Sequence, residues 1–113
     1  MATEVEQFVP PSKVIADLVS EAREADEVDR RQAVRYPLFR PATIRTDLFR
    51  KHAAFTREIS TDGIGLLHQV QLRPSKVDVY VATNSGASAR LRVHILWCRP
   101  CGQGWYLSGG RFI

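Results

Sequence analysis

Long apolar runs are missing from this chain of 113 residues: no stretch of about 18 apolar residues occurs, so no segment reads as a membrane-spanning helix. The opening MATEVEQFVPPSK has neither a basic region nor an apolar core of the kind that directs export. Both absences lead to the expectation of a cytoplasmic protein without membrane contact. Cysteine is scarce as well. Cys98 and Cys101 are the only two, too few and too close together to staple a secreted scaffold, so a hydrophobic core must carry the stability. With 44% hydrophobic residues the chain can build one such core of modest size. No internal repeat and no low-complexity tract is present.

The residue patterns of catalysis are also lacking. Ser60 and Ser108 have no surroundings resembling a nucleophile elbow, and His52, His68 and His94 stand singly on strand-like or turn segments. A binding module is therefore expected, not an enzyme. Cys98-Arg99-Pro100-Cys101 forms a CxxC at an expected hairpin turn, but a tetrahedral site needs two further ligands and the histidines offer no paired spacing. These cysteines read as ordinary turn or core residues, and no metal is expected.

Acidic residues are few after the first quarter of the chain. Residues 1–29 hold eight of the twelve acids and sum to −6, whereas residues 30–113 sum to +10 within an overall charge of +4. A basic surface of this kind suits phosphate-bearing partners. The change of sign divides the chain into an acidic segment, 1–29, and a basic domain, 30–113.

Hydrophobic periodicity changes near the same place. After Pro10-Pro11, Ser12 is placed to cap a helix in which Ile15, Leu18, Val19, Ala22 and Ala25 recur at helical spacing, predicting a helix over 12–28. Its other face is acidic, and the acids gather toward the C-terminal end, where the helix dipole disfavours them. Such a helix needs outside support, from the rest of the chain or from a second copy. From about residue 38 the period is that of strands. Ala42, Ile44 and Thr46 alternate with Thr43, Arg45 and Asp47, and Phe55, Arg57 and Ile59 continue as a second run. Four more runs follow: Ile64–His68, Val77–Ala82, Ala89–Cys98 and Gly104–Leu107, the last extending toward Phe112. Turn signals separate them at Thr61-Asp62-Gly63, Arg73-Pro74-Ser75, Asn84-Ser85-Gly86 and Pro100–Gly104. Six short strands predict an all-β fold, a small antiparallel barrel or sandwich, preceded by one α-helix.

Two short elements flank the first two strands. Arg30-Arg31-Gln32-Ala33-Val34-Arg35 precedes them and holds the sole RxxxR of the chain; Glu58-Ile59-Ser60-Thr61-Asp62-Gly63-Ile64-Gly65-Leu66-Leu67 ends the second. In these elements, and in the Gly-rich final segment GWYLSGGRF, the chain resembles the PilZ domain family over roughly residues 30–112. The resemblance implies a six-stranded antiparallel β-barrel that binds the bacterial second messenger cyclic di-GMP and signals as an adaptor to a protein partner. It also implies the site residues. Arg30, Arg31 and Arg35 would meet the ligand, since arginine forks make bidentate bonds to phosphate and to the guanine N7/O6 edge, where lysine is a poor substitute. Glu58 and Ser60 would accept and donate along the other guanine edge, and Gly63 would keep the turn bare for a flat base. Glu58 stands where the family pattern has Asp or Asn. Families of this kind include members with degenerate motifs that bind no nucleotide, and a structural or protein-interaction role is the alternative. A homodimer through helix 12–28 is one form of assembly open to the chain.

A single-stranded nucleic-acid-binding barrel is a weaker alternative. Trp97, Trp105, Tyr80 and Tyr106 would supply rings for stacking. Trp97, however, continues the alternation of Val93 and Ile95 and is expected in the core.

Overall fold

Alternation of inward and outward residues builds the strands that make up most of the described residues. The computed structural model describes residues 11–25 and 35–113. A helix, α1 (Pro11–Ala25), precedes seven strands: β1 (Tyr36–Pro37), β2 (Pro41–Asp47), β3 (Arg50–Ile59), β4 (Gly63–His68), β5 (Lys76–Ala82), β6 (Ser88–Gly102) and β7 (Trp105–Phe112). The six longer strands pair antiparallel in the order β3-β2-β5-β6-β7-β4, and β4 returns to β3, so the sheet closes into a barrel. This is the expected six-stranded architecture. The short β1 is an addition: Tyr36 pairs with Ile59 and Pro37 with Glu58, prolonging the β2 side of β3.

The barrel interior is a set of aliphatic layers. Ile44, Val79 and Leu91 stand side by side across β2, β5 and β6, with Ala42, Val81 and Ala89 in the next layer, and all are buried. Ile64 and Leu66 of β4 and Ile59 of β3 complete the wall. Each of these residues is branched or small, and all but Ile59 sit at period two, which is why the strands form and face as they do. Closure leaves no long open edge for VDVYV or VHILW to pair with another chain.

Helix α1 packs on this barrel, against β1, β3 and β6. Val14, Leu18, Val19 and Ala22 are buried on one stripe at helical spacing. Glu21 flanks that stripe and lies 2.7 Å from Arg40 Nη1, both side chains about four-fifths covered. The helix therefore has the outside support it requires. Its start differs from expectation: Ser12 lies inside the helix and Pro11 opens it, a position where the missing N–H costs nothing. Residues 26–28 of the expected helix lie outside the described residues. Among the described residues no helix is long and apolar enough to cross a membrane.

The β6–β7 hairpin corrects a second expectation. β6 does not end before Pro100 but runs to Gly102, so the CxxC lies within a strand. The turn is the two residues Gln103-Gly104, both with positive φ (54° and 81°), the conformation that matches strand twist in two-residue hairpins. Pro100 is tolerated because β5 pairs with β6 only over Ser88–His94, leaving that side of Pro100 without a strand to donate to. Cys98 is half-buried and Cys101 exposed.

One polar pair is sealed inside. His68 is fully buried; its Nδ1 lies 2.6 Å from the Val70 carbonyl oxygen and its Nε2 2.6 Å from Ser108 Oγ. A carbonyl only accepts, so Nδ1 carries the proton and Nε2 receives the serine hydroxyl hydrogen. Burial depresses the His68 pKa below its ordinary 6.5, and nearby His52 adds to this against the opposing pull of the Val70 carbonyl. The unfolded chain therefore binds the extra proton more readily than the folded one. Stability is full above the ordinary histidine pKa and declines as pH falls from there toward the depressed value. Urea unfolding across this range should show a midpoint falling with pH in the wild type, and His68→Gln should remove this histidine's part of the slope.

Candidate functional site

The barrel ladders shift register at Thr46, Arg57, Leu96 and Cys101, and the shifts at Arg57 and Leu96 shape one face. In the β3–β4 ladder Thr56 pairs with Leu66 and Glu58 with Gly65, leaving Arg57 as the extra residue. In the β6–β7 ladder Ile95 pairs with Gly110 and Trp97 with Gly109, leaving Leu96 as the extra residue. Each bulge reverses the alternation beyond it. On β3, Ala54 and Thr56 point inward; without the bulge Glu58 would follow them, but instead Ile59 is buried and Glu58 faces out. On β6, Leu91, Val93 and Ile95 are buried, and then both Leu96 and Trp97 are turned out, 49% and 38% exposed. The expectation of a core Trp97 is thus overturned by one inserted residue. The expected run of Phe55, Arg57 and Ile59 on one face fails for the same reason.

The two bulges open onto one concavity of about 400 Å³. Its floor is the outer face of β4 and β7, where Gly65 pairs with Gly109 and Gly63 with Arg111. The floor is bare because side chains from the bulged strands lie over it. A Cβ at Gly109 would fall inside the Trp97 indole, and one at Gly65 would crowd Glu58 Cγ at 3.0 Å. At Gly63 the constraint is different: a Cβ there would collide with the Gly110 carbonyl of the adjacent strand, so this glycine permits the close approach of β4 and β7. Trp97, Leu96, Ser60, Asp62 and Arg111 surround the floor together with Arg35 and Glu58. The Trp97 ring is capped by the Arg99 guanidinium, 4.8 Å from its centroid.

Arg35 immediately precedes β1, which brings it alongside β3. Its Nη1 donates to Glu58 Oε1 at 3.2 Å, with the arginine side chain 68% exposed and the carboxylate 34%. A pair this exposed contributes roughly 0–1 kcal/mol and is readily exchanged for another partner. Ser60 has a local task. Its Oγ accepts the N–H groups of Asp62 and Gly63, each at 3.1 Å, while its own N–H donates to the Gly63 carbonyl at 2.9 Å. The serine thereby folds the turn that carries Asp62 over the floor. Asp62 is fastened in turn, its carbonyl accepting the Phe112 N–H at 2.8 Å.

The structure therefore brings Arg35, Glu58, Ser60 and Gly63 together, while Arg30 and Arg31 lie outside the described residues. Leu96, Gly65, Gly109 and Arg111 also line the site and were not assigned to it from the sequence, as does Trp97, which the sequence placed in the core. A signal was available for two of them, because Ile95-Leu96-Trp97 is apolar at three successive positions, which strict alternation does not allow. Formal charge on the described lining is balanced, Arg35 and Arg111 against Glu58 and Asp62. An aromatic ring, a glycine floor and mixed charged groups suit a planar polar ligand better than a metal ion. Among the described residues no three His, Cys, Asp or Glu side chains gather as a metal site would require.

Comparison with known proteins agrees with this architecture. A search of the curated proteins finds no match. Solved structures do match, among them the inhibitor of motility (MotI/DgrA) of Bacillus subtilis, with a TM-score of 0.57 at 11% identity. The similarity covers 76% of this chain and 43% of that one, so the chain spans less than half the length of this neighbour. At that identity the likeness concerns the fold. The PilZ domain model matches residues 29–113, the whole barrel together with the arginine-rich stretch leading into it. The resemblance read from RRxxxR and ISxxGIGLL is borne out by that match, and the chain belongs to the PilZ domain family.

Proposed function

We propose that this PilZ domain binds cyclic di-GMP in the concavity between the two bulges and passes the bound state to a protein partner as a cytoplasmic signalling adaptor. It acts by binding and not by catalysis. The observation that carries this reading is the glycine floor of Gly63, Gly65 and Gly109 set beneath Trp97 and beside the Arg35–Glu58 pair. A purine enters the concavity beside the Trp97 ring that covers this floor, and its edge meets the carboxylates and the backbone of the Ser60–Gly63 turn. Trp97 offers a stacking partner worth about 1–3 kcal/mol per base.

The two ligand phosphates need positive charge that the balanced lining lacks. Arg31 stands four residues before Arg35, a reach of at most about 14 Å of extended chain, so it and Arg30 are within range to supply that charge. Drawing residues 30–35 over the floor exchanges the weak Arg35–Glu58 pair for bonds to phosphate and guanine. Helix α1 packs on β1, which follows Arg35 directly, so engagement of this stretch by ligand shifts the helix or its exposed face. In this reading residues 1–29 form the output segment and residues 30–113 the ligand-binding domain. Titration calorimetry with cyclic di-GMP should show binding to the wild type and none, or at least a tenfold loss, in an Arg31→Ala, Arg35→Ala variant. A folded wild type that gives no heat would sink the reading.

The Arg35–Glu58 pair favours a second reading, in which the longer carboxylate arm keeps the site engaged and the domain serves protein contact alone. Glu58→Asp separates the two. If the site binds nucleotide, removing one side-chain rotor tightens binding by about 0.5–1 kcal/mol, a several-fold gain. Binding that appears in the Asp variant only would favour the second reading.

A further inference from the structure

Away from the glycine floor, the outer face of β2, β5 and β6 carries an excess of cations. Lys51 stands opposite Arg45, Arg45 opposite Asp78, and Asp78 opposite Arg92. Like charges directly opposite weaken a sheet, so the Lys51–Arg45 pairing costs stability within the fold. One carboxylate serves two of these guanidiniums. Asp78 Oδ1 accepts from Arg92 Nη1 at 3.1 Å and Oδ2 from Arg90 Nη2 at 3.4 Å, yet both arginine side chains stay half-exposed. Among the described residues Arg45 reaches only the Tyr80 hydroxyl, at 3.4 Å. Lys51 and Lys76 are exposed.

Directly beyond Arg45 and Lys51 lies the tip of the β2–β3 hairpin, which presents Leu48 and Phe49 at 73% and 93% exposure. The turn is held in shape. The Phe49 N–H donates to Asp47 Oδ1 at 2.8 Å, and Asp47 Oδ2 lies 3.8 Å from Arg50 Nε, so the single acid at the tip is engaged within it. Two large apolar side chains are thus held out in water beside a cationic ladder.

An apolar tip alone would suit a protein pocket, and cations alone would suit any polyanion. The juxtaposition of a strongly exposed apolar tip with exposed lysine and arginine matches a bilayer interface, where apolar side chains enter the acyl boundary while the cations meet anionic headgroups. We propose that the β2–β3 hairpin tip and the Lys51–Arg45–Arg92 ladder dock this protein peripherally on membranes rich in anionic lipid. The sequence expectation of no membrane contact rested on the absence of a spanning run, which peripheral docking does not need.

Co-sedimentation of the full chain with phosphatidylcholine vesicles, with and without phosphatidylserine, tests this. The protein should be retained on the anionic vesicles alone. Leu48→Ser with Phe49→Ser should abolish retention while leaving the thermal midpoint and the cyclic di-GMP titration unchanged. With the tip intact, Lys51→Ala and Lys76→Ala should each lower partitioning by about fivefold. Equal retention on neutral vesicles, retention unaffected by the tip variant, or no retention would overturn the proposal. So would preferential capture of a single-stranded oligonucleotide that the tip variant leaves intact.

Discussion

Two inserted residues, Arg57 on β3 and Leu96 on β6, decide which side chains of those strands meet solvent over the site. A strand of strict alternation commits every second residue to the core, so a face can change only where a residue is inserted. The bulge at Arg57 sends Ile59 inward and Glu58 outward; the bulge at Leu96 turns Trp97 out over Gly109. The carboxylate and the indole come from strands far apart in sequence, yet they meet over one floor because β4 and β7 lie side by side between them. That floor is glycine for a packing reason, since the side chains aimed by the bulges occupy the space a Cβ would need.

The same stretch of β3 also anchors the helix. One residue before the bulge, Thr56 is fully buried and ties the crossing between β1 and β2. Its N–H donates to the Arg40 carbonyl, its Oγ1 accepts the Arg40 N–H, and its hydroxyl donates to the Leu38 carbonyl. Arg40 then holds Glu21 of α1. Site and helix are therefore joined by a short run of contacts, from Glu58 through Arg57 and Thr56 to Arg40 and Glu21. In the proposed function this contiguity is the route from the site to the helix.

Much of the barrel was legible in the sequence because Val77–Ala82 and Ala89–Ile95 alternate without interruption and glycine and proline mark their ends. The Ser60–Gly63 turn was legible because local motifs survive without tertiary context. Trp97 was not, since its orientation depends on a register shift against β7 that no local pattern encodes beyond the unbroken Ile95-Leu96-Trp97 run. Gly65 and Gly109 were hidden for a related reason, as their role is set by side chains on neighbouring strands. The continuation of β6 through Pro100 likewise depends on β5 ending early, a matter of strand lengths across the sheet.

The central claim is that one face, composed by two bulges, receives the nucleotide. Heteronuclear NMR of the labelled chain during addition of cyclic di-GMP tests it most directly. The account predicts shifts of the Trp97 indole N–H and of the Gly63, Gly65 and Gly109 amides, with the Leu48-Phe49 hairpin tip unmoved. Shifts confined to other surfaces, or a spectrum unchanged at saturating ligand, would contradict it.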